Sequence, residues 1–93
     1  MLTIQDFAAL IGQTFTATAA GGDVPLVLAE VKAVGETPPG YSRKPFSLFF
    51  RGDGSPSEQR IYTLRNAALG EVDIFLVPIG QDADGVTYEA VFN

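Results

Sequence analysis

The sequence predicts a mainly β domain, with a short N-terminal helix followed by about six largely antiparallel strands forming a small barrel or strongly twisted roll. Three observations carry this. Apolar residues keep a helical 3–4 spacing only before Gly12, and a period close to two after it. Turn signals rich in Gly, Pro and Asp recur at roughly 8–14 residues. Six strands in 93 residues leave no room for the crossovers that a parallel sheet needs. Residues 1–93 read as one domain, with no repeat, low-complexity tract or linker.

The helix starts at Thr3, an N-cap residue, with Asp6 three positions on in the place of the capping-box acid. Leu2 and Phe7 occupy the hydrophobic-staple positions. Ile4, Phe7, Ala8 and Ile11 form one apolar stripe, Leu10 lies beside it, and Gly12 sits where a C′ glycine belongs, giving about two turns. Residues 14–19 alternate hydroxyl and apolar side chains, and Gly21-Gly22-Asp23 turns the chain. The second strand, 26–34, has Val27, Ala29, Val31 and Ala33 as its main apolar parity. Leu26 and Leu28 break that parity, which predicts a bulge or twist near 29–30.

After a proline-rich loop over 35–45, residues 46–51 put Phe46, Leu48 and Phe50 on one face. The fourth strand, 59–64, sets Ile61 opposite Tyr62 and Leu64; Asn66 to Gly70 is a turn with Leu69 as an apolar plug. The fifth, 72–79, is apolar on both faces and ends near Pro78, which donates no hydrogen bond. A five- or six-residue loop over 80–85 leads to the sixth strand, where Val86, Tyr88, Ala90 and Phe92 alternate with Thr87, Glu89 and Val91.

Cysteine, histidine and tryptophan are absent. Disulfides, Cys/His zinc sites, thiol nucleophiles and His-based triads are therefore excluded, and no cofactor is expected. Eleven acids against six bases give −5, which argues against a phosphate-binding surface and hence against nucleic acid. Residues 40–65 carry five bases and two acids, while residues 1–39 and 66–93 are net acidic. These segments either pair across one sheet or present a two-sided surface to a partner. No apolar run is long enough to span a membrane, and the first residues lack a signal peptide's basic and apolar regions. Synthesis in the cytoplasm is expected, with export by a route without a signal peptide left open.

Candidate chemistry is sparse. Asp82 and Asp84, with Glu89 after them, match calcium-loop chemistry in residue type, but Gly85 and Glu89 fall at the wrong spacing and Asp-Gly is a hairpin signal; a turn is the expected reading. Gly52-Asp53-Gly54 lacks the Lys-Ser/Thr and the following helix of a phosphate loop. Ser42 near Lys44, and Glu71 with Asp73 on one strand face, are the remaining constellations; solvated surface is the expected reading, and no catalytic residue is assigned. Phe49 and Phe75 lie opposite their strands' main apolar parity, so either the helix covers that face or it is exposed for a partner. Tyr41, Arg43 and Lys44, framed by Pro38, Pro39 and Pro45, make the most apt polar contact loop, and Tyr88 on the terminal strand completes the candidate partner surface.

Phe46-Ser47-Leu48-Phe49-Phe50-Arg51-Gly52, Ile61-Tyr62-Thr63-Leu64, Leu69-Gly70, Phe75-Leu76-Val77-Pro78-Ile79-Gly80 and the terminal Tyr88-Glu89-Ala90-Val91-Phe92-Asn93 together resemble an uncharacterised family of small bacterial β-rich proteins. The terminal motif is its specific part, and the resemblance covers nearly the whole chain. Asn66 departs from it, standing where a His is expected. The family carries no assigned activity, so the resemblance transfers no catalytic residue. It implies an association with phage-tail-collar-like fibre proteins. The function expected is a non-enzymatic interaction or structural module, acting as subunit, cap or assembly factor of such a structure and binding a protein partner or its own copies. The alternative is a small-ligand-binding β-barrel.

Overall fold

The structure is a computed structural model describing residues 3–19, 22–33, 45–53 and 60–92. It has one helix, α1 (Ile4–Ala8), and six strands: β1 (Thr14–Ala19), β2 (Gly22–Ala33), β3 (Phe46–Gly52), β4 (Arg60–Asn66), β5 (Gly70–Asp82) and β6 (Gly85–Phe92). All pairings are antiparallel, and the order β1-β2-β3-β6-β5-β4 closes into a ring.

Alternation along each strand drives the closure, because one face of every strand must leave water. Phe15 and Ala17, Leu26 and Leu28, Phe46, Leu48 and Phe50, Tyr62 and Leu64, Ile74 and Leu76, and Val86, Tyr88 and Ala90 all point inward. In β2 the inner face differs from the expected parity. Leu26 and Leu28 are the core residues there, while Val27 and Ala29 are exposed. The register with β3 shifts between Leu28 and Glu30, so Ala29 is an extra residue. It moves the inner face from even to odd positions, and Val31 takes over the packing beyond it.

The helix is shorter than its sequence pattern. The capping box forms as expected: the Thr3 hydroxyl accepts from the Asp6 N–H, and the Thr3 N–H donates to Asp6 Oδ2 at 2.7 Å. After Ala8 the chain continues in tight turns, with Leu10 N–H donating to Phe7 O and Gln13 N–H to Leu10 O. That winding buries Phe7 and Leu10 and rotates Ile11 out to 49% exposure. Gly12, at φ 91°, then turns the chain so that its N–H reaches Leu28 O at 2.8 Å. The segment plugs one end of the ring. Phe7 packs on Phe46 and Phe92, and those two rings stack at 4.9 Å.

β5 also runs past its expected end, through Pro78 to Asp82. Its register with β6 shifts between Pro78 and Gly80, and a bulge is one of the few places where a strand tolerates a residue without an N–H donor. The hairpin that follows is correspondingly tighter than expected. Only Ala83 and Asp84 separate the Asp82↔Gly85 pair, and the Asp82 carboxylate accepts both the Asp84 and Gly85 N–H groups.

Candidate functional site

Among the described residues the interior leaves little room for a ligand. Away from the helix plug, Ala17, Val24, Leu26, Tyr62, Leu76 and Tyr88 surround about 10 Å³, space for about one water. Six strands make a ring narrow enough for its own side chains to fill.

Outside the ring, the two oppositely charged regions meet. Arg51 donates through Nη2 to Asp82 at 2.9 Å and through Nη1 to Thr87, and Arg65 donates to Asp23 at 2.6 Å. Basic positions of the 40–65 segment thus pair with acids from both flanking segments. The Arg51 hydrogen bond, together with the Asp84 N–H, holds the Asp82 carboxyl below its usual pKa. That carboxylate is committed to a guanidinium and a turn. Among the described residues no cluster of three acids has metal-binding geometry. Glu71 and Asp73 are exposed, and Asp73 accepts from the Thr63 hydroxyl at 2.8 Å.

The apolar exterior is concentrated on β4, β5 and β6. Ile61 is 63% exposed, Phe75 51% and Val91 56%. Ile61 lies directly opposite Phe75 in the β4–β5 register. The β5–β6 ladder ends at the pair Val77↔Glu89, and Phe75 and Val91 each lie two residues past it on the outer parity of their strands. Three large apolar side chains therefore share the outer face of β4, β5 and β6, with Ile61 and Phe75 as a registered pair and Val91 on the next strand, and half-buried Val77 and Phe49 lie on either side of Glu89. The helix, used to plug the ring's end, leaves this face to solvent.

Of the expected partner residues, Phe75 stands in this patch and Phe49 at its margin. Tyr88 does not belong to the outer surface. It is 4% exposed and lines the interior, because it shares the inward parity of Val86 and Ala90. Tyr41, Arg43 and Lys44, like Ser42, lie outside the described residues. Sequence reasoning missed Ile61 and Val91 as site residues. Each is a lone apolar position on an otherwise polar strand face, and only the register shows that they are neighbours. β6 pairs with β3 from Val86 to Phe92 and with β5 from Gly85 to Glu89.

A second surface feature lies where β1 meets β4. It is an open cleft of about 480 Å³ along Thr14, Thr16, Arg65, Asn66 and Glu71. Asn66 is buried at its base and fully engaged. Its Nδ2 donates to Gln13 Oε1 and Thr14 O, and its Oδ1 accepts from the Ala68 and Leu69 N–H groups. At the position where the resemblance expects a His, this chain holds a structural clamp.

Among the described residues no helix is long and apolar enough to cross a membrane. No curated protein and no solved structure matches the chain. A family described as a domain of unknown function, DUF6916, matches residues 2–92. That span is nearly the whole sequence, and the chain belongs to this family.

Proposed function

We propose that the protein is a non-enzymatic module that binds another protein. The observation that carries this reading is the patch of Ile61, Phe75 and Val91, large apolar side chains held open to water on adjacent strands. Exposed apolar side chains scattered singly are ordinary, whereas a grouped set characterises interaction surfaces. The filled interior supports the same reading over a ligand-binding barrel. The finer reading, a subunit, cap or assembly factor of a fibre- or tail-type structure, rests on the sequence resemblance.

The test is recovery of tagged protein from its native host with mass spectrometry of what co-purifies. Wild type is compared with Ile61→Asp/Phe75→Asp and with Arg43→Glu/Lys44→Glu. A stoichiometric partner lost on one of these changes supports the reading, and a fibre or tail component would support the finer one. Identical, partnerless preparations from all three would sink it.

A further inference from the structure

We infer that the Ile61–Phe75–Val91 patch docks into a concave apolar groove on another polypeptide, and that this groove is rimmed by Lys or Arg. The inference rests on the interaction-module reading and adds the partner's shape and charge. Three observations carry it.

The first is charge. Asp73 lies two residues from Phe75 on the same face of β5, and Glu89 two residues from Val91 on β6. Side chains two apart in a strand are about 7 Å apart on one face. Carboxylates therefore flank the patch on both sides along the strands. Among the bases whose side chains are described, Arg51 is held by Asp82, Arg65 by Asp23, and Lys32 lies two strands beyond Val91, across Ser47. A second copy stacked on the patch would set carboxylate against carboxylate in either orientation, on a chain already carrying −5. Basic side chains beside an apolar groove meet both flanks favourably.

The second is shape. In a closed ring of six strands, each strand advances the wall by about a sixth of a turn. The patch spans three strands, so it is convex. Two convex copies would touch at one or two side chains, whereas a concave partner reaches all three.

The third is area. Ile61, Phe75 and Val91 expose on the order of 300 Å², no more than the largest apolar patch of many monomers and well short of the ~800 Å² per partner of a standard interface. A self-associated dimer built on this patch alone would be too small. A groove that also engages the acidic flanks enlarges the contact.

The experiment is site-specific photo-crosslinking of the full chain in its native host. Ile61→p-benzoylphenylalanine and Phe75→p-benzoylphenylalanine are compared with the same change at Arg43. The crosslinked peptide is sequenced, and the complex is then rebuilt from the purified protein and the partner so identified. The expected result is a crosslink from positions 61 and 75 to an apolar segment with Lys or Arg beside it. Binding should weaken at least tenfold for Asp73→Lys/Glu89→Lys, with thermal stability unchanged, and should weaken as salt is raised. Crosslinks to a second copy of the chain, or to a segment without bases, would overturn the inference. So would affinity indifferent to the charge reversal. Crosslinks from position 43 alone would overturn this surface while leaving the interaction reading in place; none from any position would overturn both.

Discussion

Two junctions in the ring join strands distant in sequence, and they are built differently. β3 and β6 pair over seven residues, from Phe46↔Phe92 to Gly52↔Val86. β1 and β4 pair over two, Thr16↔Arg65 and Ala17↔Leu64. The long junction is a backbone ladder with aromatic rings stacked at one end and the Arg51–Thr87 bond toward the other. The short one is supplemented by side chains. Asn66 reaches the Thr14 carbonyl where the ladder has stopped, and Arg65 spans β1 to reach Asp23 on β2. The difference teaches that a small ring can close on few backbone bonds if a buried, fully bonded side chain holds the gap. A junction of that kind is expected to open first, because local opening follows the number of protected hydrogen bonds.

The comparison can be broken from either side. The largest effect is expected at the long junction. Phe46→Ala removes a fully buried ring in contact with Phe7 and Phe92, and should cost about 3–5 kcal/mol in denaturant unfolding. A cost below about 1 kcal/mol would show that the aromatic cluster does not anchor the ring. Next, Gly85→Ala adds a Cβ that collides with the Gly52 carbonyl oxygen, at a residue with φ 148°. The expected loss is about 1–3 kcal/mol by the same measurement, because the obstacle is backbone.

At the short junction, Asn66→Ala leaves the Ala68 and Leu69 N–H groups and the Thr14 carbonyl without their partner. It should cost about 1–2 kcal/mol and speed amide exchange in β1 well before β3 or β6. Equal protection of β1 and β6 in the wild type would end the distinction between the junctions.

The smallest effect concerns Asp82. Its pKa is lowered on folding, chiefly by the Arg51 hydrogen bond, so its contribution is present above the usual value of 3.8 and is lost as the pH falls through the lower folded value. Asp82→Asn should flatten the acid limb of stability below about pH 4 and change little at pH 7, since the pair is solvent-exposed. An unchanged acid limb would show that the Arg51 contact adds nothing.

Most of the wall was legible from residue order. The capping box at Thr3 and Asp6, the inward set Phe46, Leu48 and Phe50, and the irregularity at 29–30 each follow from local spacing, because local periodicity reports which face leaves water. Other features were not legible. On β2 the expected inner parity holds at Val31 but not at Val27 and Ala29, because the bulge exchanges the two parities and puts Leu26 and Leu28 in the core before it. Pro78 marked a strand end by its chemistry, but a bulge absorbed it. Tyr88 was assigned to the partner surface, although its own parity with Val86 and Ala90 points inward.

The sequence by itself determined the fold class, the exclusion of thiol and imidazole chemistry and the set of apolar residues on each strand, all of which follow from residue type and near-neighbour spacing. Tertiary structure decided which strands meet across the ring, that the helix plugs an end instead of covering β5, and that Ile61, Phe75 and Val91 become one surface. The physical reason is that register is a relation between distant segments. Ile61 and Val91 are each a lone apolar side chain on the outer face of their strand, and they come to share a surface with Phe75 only when antiparallel pairing brings β4, β5 and β6 together.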